Sequence, residues 1–273
     1  MSSIFLLISK KKCDIIKHIR LSGGKMMNSV SILGVSFSTA NQAEASEIIF
    51  TACKSKNKFP LTVVTPNPLM VMNAQRNEAL FSALSLADLS LADGVGIISA
   101  ARRMCTPLPE RVTGIDTGYA VLKSLEKIGG SVYLLGARPD VAEKAADKLT
   151  EKLPCLHIVG THHGYFGNDE EIIRDISEKS PDLLIVCLGS PRQEIWAHQN
   201  KANLSGVGAI MCLGGALDVW AGKVKRAPAI FIKLHLEWLW RMICEPQRFS
   251  ALPKMIKFRI LTGKSRQNKK SFK

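Results

Sequence analysis

Hydrophobic and polar positions follow two alternating patterns from residue 30 to residue 213. Short, largely apolar runs predict seven strands, at 30–37, 61–64, 89–91, 132–135, 156–159, 183–188 and 207–213. Between them, apolar residues recur every three or four positions, which predicts helices at 42–55, 68–86, 95–104, 115–128, 138–152, 169–179 and 191–202.

This alternation of strands and helices predicts an α/β fold with a Rossmann-like, doubly wound and mostly parallel sheet. Strands that are apolar on every position are buried on both faces, as parallel strands are when helices cover the sheet. Ligands of such sheets bind beyond the carboxyl ends of the strands. The loops that follow the strands are therefore where chemistry is expected.

Charge divides the chain into a nearly neutral body and a cationic end. Of the 37 Lys and Arg residues, 14 lie from Lys223 onward, where the acidic residues are Glu237 and Glu245. Residues 1–222 carry 23 basic and 21 acidic side chains. We therefore expect three parts, which are an extension of unclear role at 1–27, an α/β catalytic domain at 28–222 and a basic helical appendage at 223–273.

The appendage combines positive charge with apolar side chains. It contains Trp238 and Trp240, and an apolar stripe at helical spacing is formed by Leu252, Met255, Ile256 and Ile260. A basic amphipathic helix of this kind suits an anionic membrane surface. Nucleic acid is the rival partner for the basic residues, and a merely solvated helix is the third interpretation.

Composition and motifs exclude several chemistries. No apolar run approaches the roughly 20 residues of a spanning helix, and the first eight residues lack the basic start of a secretory signal. The seven cysteines form no CxxC pair, which suits a reducing cytosol. His162 and His163 have no further ligands at zinc-like spacing, and the chain contains no DxD, dinucleotide or Walker A motif. We therefore expect neither a metal nor a cofactor.

Asp93 follows the predicted strand at 89–91 and precedes Gly94 and Gly96. A carboxylate held at a strand end beside a ligand can act as a general base, and the glycines would let a substrate approach it. An Asp in front of a helix is also an ordinary N-cap. The residues alone leave both interpretations open.

Polar side chains follow other strands as well. Thr65 and Asn67, set among prolines, are either ligand contacts on a rigid loop or turn formers. Arg111 is suited to clamping a phosphate or carboxylate, although a surface position is the default for an arginine.

Three later loops carry further candidates. Tyr165, flanked by glycines and Phe166, suits a nucleobase or packs back on the core. Asp218 accepts a hydrogen bond from a base or ribose, or caps a helix. Gln193 begins a helix and has no evident structural role.

Taken together, these loops resemble the WecG/TagA/CpsF glycosyltransferases, which make bacterial cell-surface polymers. The matching stretches are colinear over roughly residues 30–250 and comprise Thr65-Pro-Asn-Pro, Ala92-Asp-Gly-Val-Gly, Leu108-Pro-Glu-Arg-Val-Thr-Gly, Val132-Tyr-Leu-Leu-Gly, Gly164-Tyr-Phe, Gly189-Ser-Pro-Arg-Gln-Glu, Gly214-Gly-Ala-Leu-Asp, Ala221-Gly-Lys-Val-Lys-Arg-Ala-Pro and Leu236-Glu-Trp-Leu-Trp-Arg with Glu245-Pro-Gln-Arg. Most of these motifs are weak singly, but nine in order are highly specific.

The resemblance implies an inverting, metal-independent transfer of an N-acetylmannosamine-type sugar from a UDP-sugar to a GlcNAc on undecaprenyl diphosphate. By resemblance, Asp93 is the general base that deprotonates the acceptor hydroxyl. The other implied roles are donor-sugar and diphosphate contacts for Thr65, Asn67, Arg111 and Gln193, uracil stacking for Tyr165, a nucleobase hydrogen bond for Asp218, and lipid-diphosphate contacts for Arg241 and Arg248.

The expected partners are thus a UDP-sugar donor, a polyprenyl-diphosphate-linked acceptor and an anionic membrane surface, with no nucleic acid and with a homo-oligomer left open. The expected location is cytoplasmic, peripheral on the inner face of the cell membrane. The alternative function is a nucleotide-binding α/β module without transferase activity, whose basic tail binds nucleic acid.

Overall fold

A computed structural model describes residues 17–20, 26–56, 58–234 and 236–270, and within these ranges the strands form two sheets. The antiparallel sheet consists of β1 (Lys17–Arg20), β2 (Met26–Ile32) and β3 (Val35–Ser38). The parallel sheet consists of β4 (Leu61–Val64), β5 (Leu89–Ser90), β6 (Ser131–Gly136), β7 (His157–His162), β8 (Leu183–Cys187) and β9 (Ala209–Cys212).

The parallel sheet has the strand order β5-β4-β9-β8-β6-β7. Every neighbouring pair is parallel, so all six strands end at the same edge. The helices are α1 (Gln42–Ser55), α2 (Pro68–Ala74), α3 (Glu78–Leu86), α4 (Val95–Arg103), α5 (Gly114–Glu126), α6 (Val141–Lys152), α7 (Glu170–Lys179), α8 (Arg192–Asn200), α9 (Ala216–Trp220), α10 (Ala229–Lys233), α11 (Glu237–Cys244) and α12 (Leu252–Lys270).

Helices cover both faces of this sheet, as the apolar strands predict. In β8, Leu183 and Ile185 join the core cluster that contains buried residues of α1, α5, α6 and α9. Leu184 and Val186 join the opposite cluster, formed with α2, α3, α4, α7 and α8. The arrangement confirms the prediction of a Rossmann-like, doubly wound α/β fold.

Two predicted elements are wrong because a turn interrupts each of them. The predicted strand at 30–37 is a hairpin, in which Leu33 and Gly34 take φ values of 50° and 87° between β2 and β3. The predicted helix at 68–86 is two helices, because the Asn77 side chain accepts a hydrogen bond from the Leu80 N–H (2.9 Å) and starts α3 anew.

The antiparallel sheet extends into the segment expected to be a separate extension. β2 begins at Met26, so this strand crosses the expected boundary between residues 27 and 28, and β1 pairs with it. Residues 1–16 and 21–25 lie outside the described part of the chain.

The appendage packs against the body through α12, which lies on α2 and α4. Phe258 is buried in the core cluster on that side of the sheet. A guanidinium nitrogen of Arg103 (Nη2) donates to the hydroxyl of buried Thr262 (2.9 Å), and Lys254 donates to the Asn73 side chain (2.9 Å). None of the helices in the described ranges is long and apolar enough to cross a membrane.

Candidate active site

Asp93 and Arg111 meet at the carboxyl edge of the parallel sheet. The backbone N–H of Val112 donates to the carbonyl of Ala92 (3.2 Å), which holds the loop before α5 beside the end of β5. Arg111 Nη2 consequently lies 3.5 Å from Asp93 Oδ1, and the two side chains are 17% and 32% exposed. The result is a half-buried ion pair, where water screens charges less than on an open surface.

Asn67 is brought to the same place by the packing of α4 on α2. Gly94 has a φ of 108°, and a Cβ on Gly96 would lie 2.5 Å from Pro68 Cγ. The two glycines therefore allow the beginnings of α4 and α2 to come together. Asn67 caps α2, since its Oδ1 accepts from the N–H groups of Leu69 (3.0 Å) and Met70 (3.1 Å).

A cleft of about 540 Å³ separates this edge of the body from the appendage. The body lines it with Asn67, Pro68, Leu69, Asp93, Gly94, Val95, Gly96, Ser99, Arg103 and Arg111. The appendage lines it with Glu237, Trp238, Met242, Ala251, Leu252, Met255, Ile256, Phe258 and Arg259. The body thus supplies most of the polar groups, and the appendage most of the large apolar ones.

Glu237 of α11 is a second carboxylate on Arg111. Arg111 Nη2 and Glu237 Oε2 form an ion pair, and the Glu237 side chain is 14% exposed. Arg111 therefore joins Asp93 on the body to Glu237 on the appendage. Glu237 was not among the predicted site residues, although its being one of two acids in a segment with fourteen cations was a usable signal.

Gln193 and Thr65 are not among the residues that line the cleft. Gln193 is buried. Its Nε2 donates to Glu194 Oε1 (2.6 Å) and its Oε1 accepts from the Gly214 N–H (3.0 Å). This residue therefore ties the beginning of α8 to the loop after β9. Burial raises the pKa of the Glu194 carboxyl, and the hydrogen bond from Gln193 offsets part of that rise. The Thr65 hydroxyl donates to the carbonyl of Cys212 (3.4 Å).

Tyr165 and Asp218 also lie at the carboxyl edge but away from this cleft. Tyr165 is 67% exposed in the loop after β7, where Arg192 Nη1 donates to the carbonyl of Gly164 (2.5 Å). β7 and β5 are the two outer strands of the sheet, so five spacings of about 4.8 Å place them about 24 Å apart. Asp218 is half-buried in α9, which follows β9 nearer the middle of the sheet.

The two arginines expected to reach a lipid diphosphate are in the appendage. The backbone of Arg241 lies in α11, and that of Arg248 in the 3-10 helix at Pro246–Ala251, but their side chains are outside what the structure describes. Within the described ranges, no group of three or more His, Cys, Asp or Glu side chains could hold a metal ion.

The parallel sheet and the charged cleft at its carboxyl edge define an α/β enzyme of the Rossmann-like class. The chain belongs to the WecG/TagA/CpsF family of glycosyltransferases, because residues 30–271 match the family described as "Glycosyl transferase WecG/TagA/CpsF family". It is therefore a glycosyltransferase.

Relatives from Staphylococcus aureus share most of the chain. In Staphylococcus aureus strains NCTC 8325 / PS 47 and MRSA252, the protein named "N-acetylglucosaminyldiphosphoundecaprenol N-acetyl-beta-D-mannosaminyltransferase" is 33% identical to this chain over 247 residues. The match covers 89% of this chain and 96% of each relative. The similarity thus includes both the body and the appendage.

Proposed function

We propose that this enzyme transfers an N-acetylmannosamine-type sugar from a UDP-sugar to a GlcNAc linked to polyprenyl diphosphate, in the synthesis of a bacterial surface polysaccharide. The names of the staphylococcal relatives support the transferred sugar and the lipid-linked acceptor. The observation that carries the proposal is that Asp93, Asn67 and Arg111 line one cleft, which the appendage closes. The sequence contains no DxD motif, which supports a reaction without a divalent cation.

In the proposed reaction Asp93 takes the proton of the acceptor hydroxyl. The hydroxyl oxygen bonds to the anomeric carbon of the donor sugar, the bond from that carbon to the diphosphate oxygen breaks, and UDP leaves with its electron pair. Attack from the face opposite the diphosphate inverts the anomeric centre. Arg111 and the N–H groups at the beginning of α4 meet the negative charge of the leaving group.

The remaining proposed contacts lie along the carboxyl edge. We assign Asn67 to the donor sugar, and Thr65 to holding the loop of Asn67 through its hydrogen bond to the Cys212 carbonyl. Gln193 supports the site through the Gly214 loop. Uracil stacks on Tyr165 and donates a hydrogen bond from its ring N–H to the carboxylate of Asp218.

We further propose that the enzyme acts as a peripheral protein on the inner face of the cell membrane. The net positive charge of the appendage supports attraction to anionic lipids. So do its exposed apolar side chains, which include Ile230, Leu234, Ile243, Phe249 and Ile260. Arg241 and Arg248 are assigned to the lipid diphosphate, and a homo-oligomer is compatible with this assignment.

A panel of UDP-sugars tests the donor. Each is incubated with a short-chain polyprenyl-diphosphate-GlcNAc acceptor, with and without EDTA, and released UDP is measured. We expect UDP-N-acetylmannosamine to give the fastest release, and EDTA to leave the rate unchanged. UDP release with none of the sugars would refute the transferase proposal, and loss of activity in EDTA would refute the metal-independent reaction.

Asp93→Asn tests the general base, because the amide keeps the shape of the side chain but cannot accept the proton. We expect turnover to fall by about 10²-fold or more, the usual contribution of a general base. The Kd for UDP, measured by calorimetry, should stay within about twofold of that of the unmodified enzyme. Asp147→Asn makes the same change on the exposed surface of α6 and should have no effect. Unchanged turnover in Asp93→Asn would remove this residue as the base.

A further inference from the structure

Arg103 lies at the far end of the helix that begins beside Asp93. Gly96, Ser99 and Arg103 are spaced by three and four residues, so they share one face of α4, and all three line the cleft. Nine helical steps of about 1.5 Å place the backbone of Arg103 about 13.5 Å from that of Gly94. The cleft therefore runs along α4 from the proposed base to a guanidinium group.

The guanidinium of Arg103 is held in place by neutral partners. Its Nη1 donates to the Ser99 hydroxyl (2.6 Å) and its Nη2 to the Thr262 hydroxyl (2.9 Å). Its buried Nε has no hydrogen-bond partner among the described atoms. Burial lowers the pKa of Arg103, and the charge of Arg259 lowers it further, since Arg259 brings a second cation close to the first.

The cations at this end of the cleft are not neutralised by the carboxylates that line it. Asp93 and Glu237 are both paired with Arg111. In the described part of the chain, neither Arg103 nor Arg259 forms a salt bridge. Arg103 is half-buried and Arg259 is exposed at the surface of the cleft. These two like charges repel each other, and an anion bound between them would relieve that repulsion.

The walls next to these arginines are apolar. Leu252, Met255 and Ile256 of α12 line the cleft on the side of Arg259, and Trp238 lines it from α11. Ile256 is 59% exposed, so the apolar wall continues to the surface of the molecule. A ligand that complements this end carries a negative charge attached to a hydrocarbon chain.

We propose that Arg103 and Arg259, in addition to Arg241 and Arg248, contact the diphosphate of the polyprenyl-linked acceptor, with the apolar wall of α12 contacting the first isoprene units. The assignment rests on the proposed function. If a ring hydroxyl of the acceptor sugar is at Asp93, the diphosphate on C1 lies one sugar ring farther along the cleft. Arginine side chains on a helix point back toward its N-terminus, so Arg103 reaches toward that position.

Binding of farnesyl diphosphate and of farnesol, measured by calorimetry, tests the subsite without any transfer reaction. Arg259→Gln should weaken farnesyl diphosphate binding about tenfold, as the loss of one charged hydrogen bond does, and should leave farnesol binding unchanged. Arg102→Gln removes the same charge from the neighbouring, exposed position of α4 and should leave both affinities unchanged.

Arg103→Lys is the second variant, because it keeps the positive charge but loses the forked donor that reaches both hydroxyl groups. It should also weaken farnesyl diphosphate binding and spare farnesol. Equal losses for farnesyl diphosphate and farnesol in both variants would show that the arginines only hold α12 in place, and would overturn the proposal. Unchanged farnesyl diphosphate binding in both variants would overturn it as well.

Acceptor KM and vesicle binding distinguish a diphosphate subsite from contacts with membrane headgroups. In the transfer assay in detergent micelles, Arg259→Gln should raise the acceptor KM about tenfold and leave the donor KM unchanged. If Arg259→Gln weakens binding to phosphatidylglycerol vesicles but not to farnesyl diphosphate, the arginines contact membrane headgroups and the subsite is refuted. If the unmodified enzyme transfers no sugar, the proposed function fails, while the farnesyl diphosphate measurement still decides whether the subsite exists.

Discussion

Arg111 pairs with both carboxylates that line the cleft. It pairs with Asp93 on the body and with Glu237 on the appendage. A phosphate group of a substrate that binds to this guanidinium must therefore share it with two carboxylates, or displace one of them. At the scale of single residues, the proposed chemistry and the closure of the appendage depend on the same cation.

Asn67 has two separable roles, a helix cap and a proposed donor contact. Asn67→Asp keeps the oxygen that caps α2, whereas Asn67→Ala removes it and should lower the free energy of unfolding by about 1 kcal/mol. We expect both variants to lose sugar transfer, because both lose the amide. Thermal unfolding and initial rates of UDP release measure the two effects. If Asn67→Asp transfers sugar at the full rate, this residue acts only as a cap.

Asp116 gives the stability a dependence on pH. Arg226 Nη2 lies 2.7 Å from Asp116 Oδ2. Burial by itself would raise the pKa of Asp116, but hydrogen bonds from Arg226 and Thr113 outweigh it and hold the pKa below its ordinary value. A carboxyl whose pKa is lowered in the folded state stabilises the fold when the pH is above the ordinary Asp pKa of about 3.9. This stabilisation is lost as the pH falls through the lowered pKa.

Arg226→Met should therefore lower the free energy of unfolding by about 0.5 kcal/mol near pH 7, a small value because the two side chains are 37% and 43% exposed. The difference from the unmodified protein should shrink as the pH is lowered below about 4. Urea unfolding at a series of pH values measures it, with Lys225→Met at the adjacent exposed position as the control. A difference that grows toward low pH would contradict the assignment.

At the scale of elements, α12 is the part of the appendage that is anchored in the core. Its anchor is Phe258, which is 2% exposed, while Ile260 on the same helix is 51% exposed. A buried aromatic side chain holds a helix mainly by removing apolar surface from water. The burial of Phe258 therefore helps to hold the apolar wall of the cleft in place.

Phe258→Ala should release α12 from the body, because a Phe→Ala change in a core costs about 3–5 kcal/mol. We expect faster proteolytic cleavage within residues 252–270 and a raised acceptor KM, with the α/β body still folded by circular dichroism. Ile260→Ala is the matched control for the packing of α12 and should leave the cleavage rate unchanged. Equal cleavage rates in the two variants would show that Phe258 is not the anchor.

At the scale of the whole molecule, exposed apolar side chains of the appendage are the proposed contact with the membrane. Ile243→Ser combined with Phe249→Ser should weaken binding to vesicles containing phosphatidylglycerol by about tenfold, the loss expected when apolar groups no longer enter the bilayer surface. Vesicle sedimentation measures this. The control combines Leu86→Ser with Ile128→Ser, two exposed positions on the body. Equal losses in both double variants would refute the appendage as the contact surface.

Much of the fold follows from local spacing. The predicted bounds of α1 are those observed, because its apolar positions and its capping residue Asn41 are local signals. The errors at Leu33-Gly34 and at Asn77 arose because apolar spacing continues across a turn that backbone conformation or a side-chain hydrogen bond creates. Gln193, which lacked an evident structural role in the sequence, has one in the structure through Gly214, a residue 21 positions away.

The sequence by itself determined the parallel α/β architecture, the carboxyl-edge loops and the cationic end, because each depends on the order of residue types along the chain. Only the tertiary structure decided which of those loops share a cleft. The strand order places Asp93 after one outer strand of the sheet and Tyr165 after the other. The packing of α12 brings Arg259 close to Arg103. Which side chains lie close together depends on contacts between residues far apart in the chain, and local spacing carries no information about these contacts.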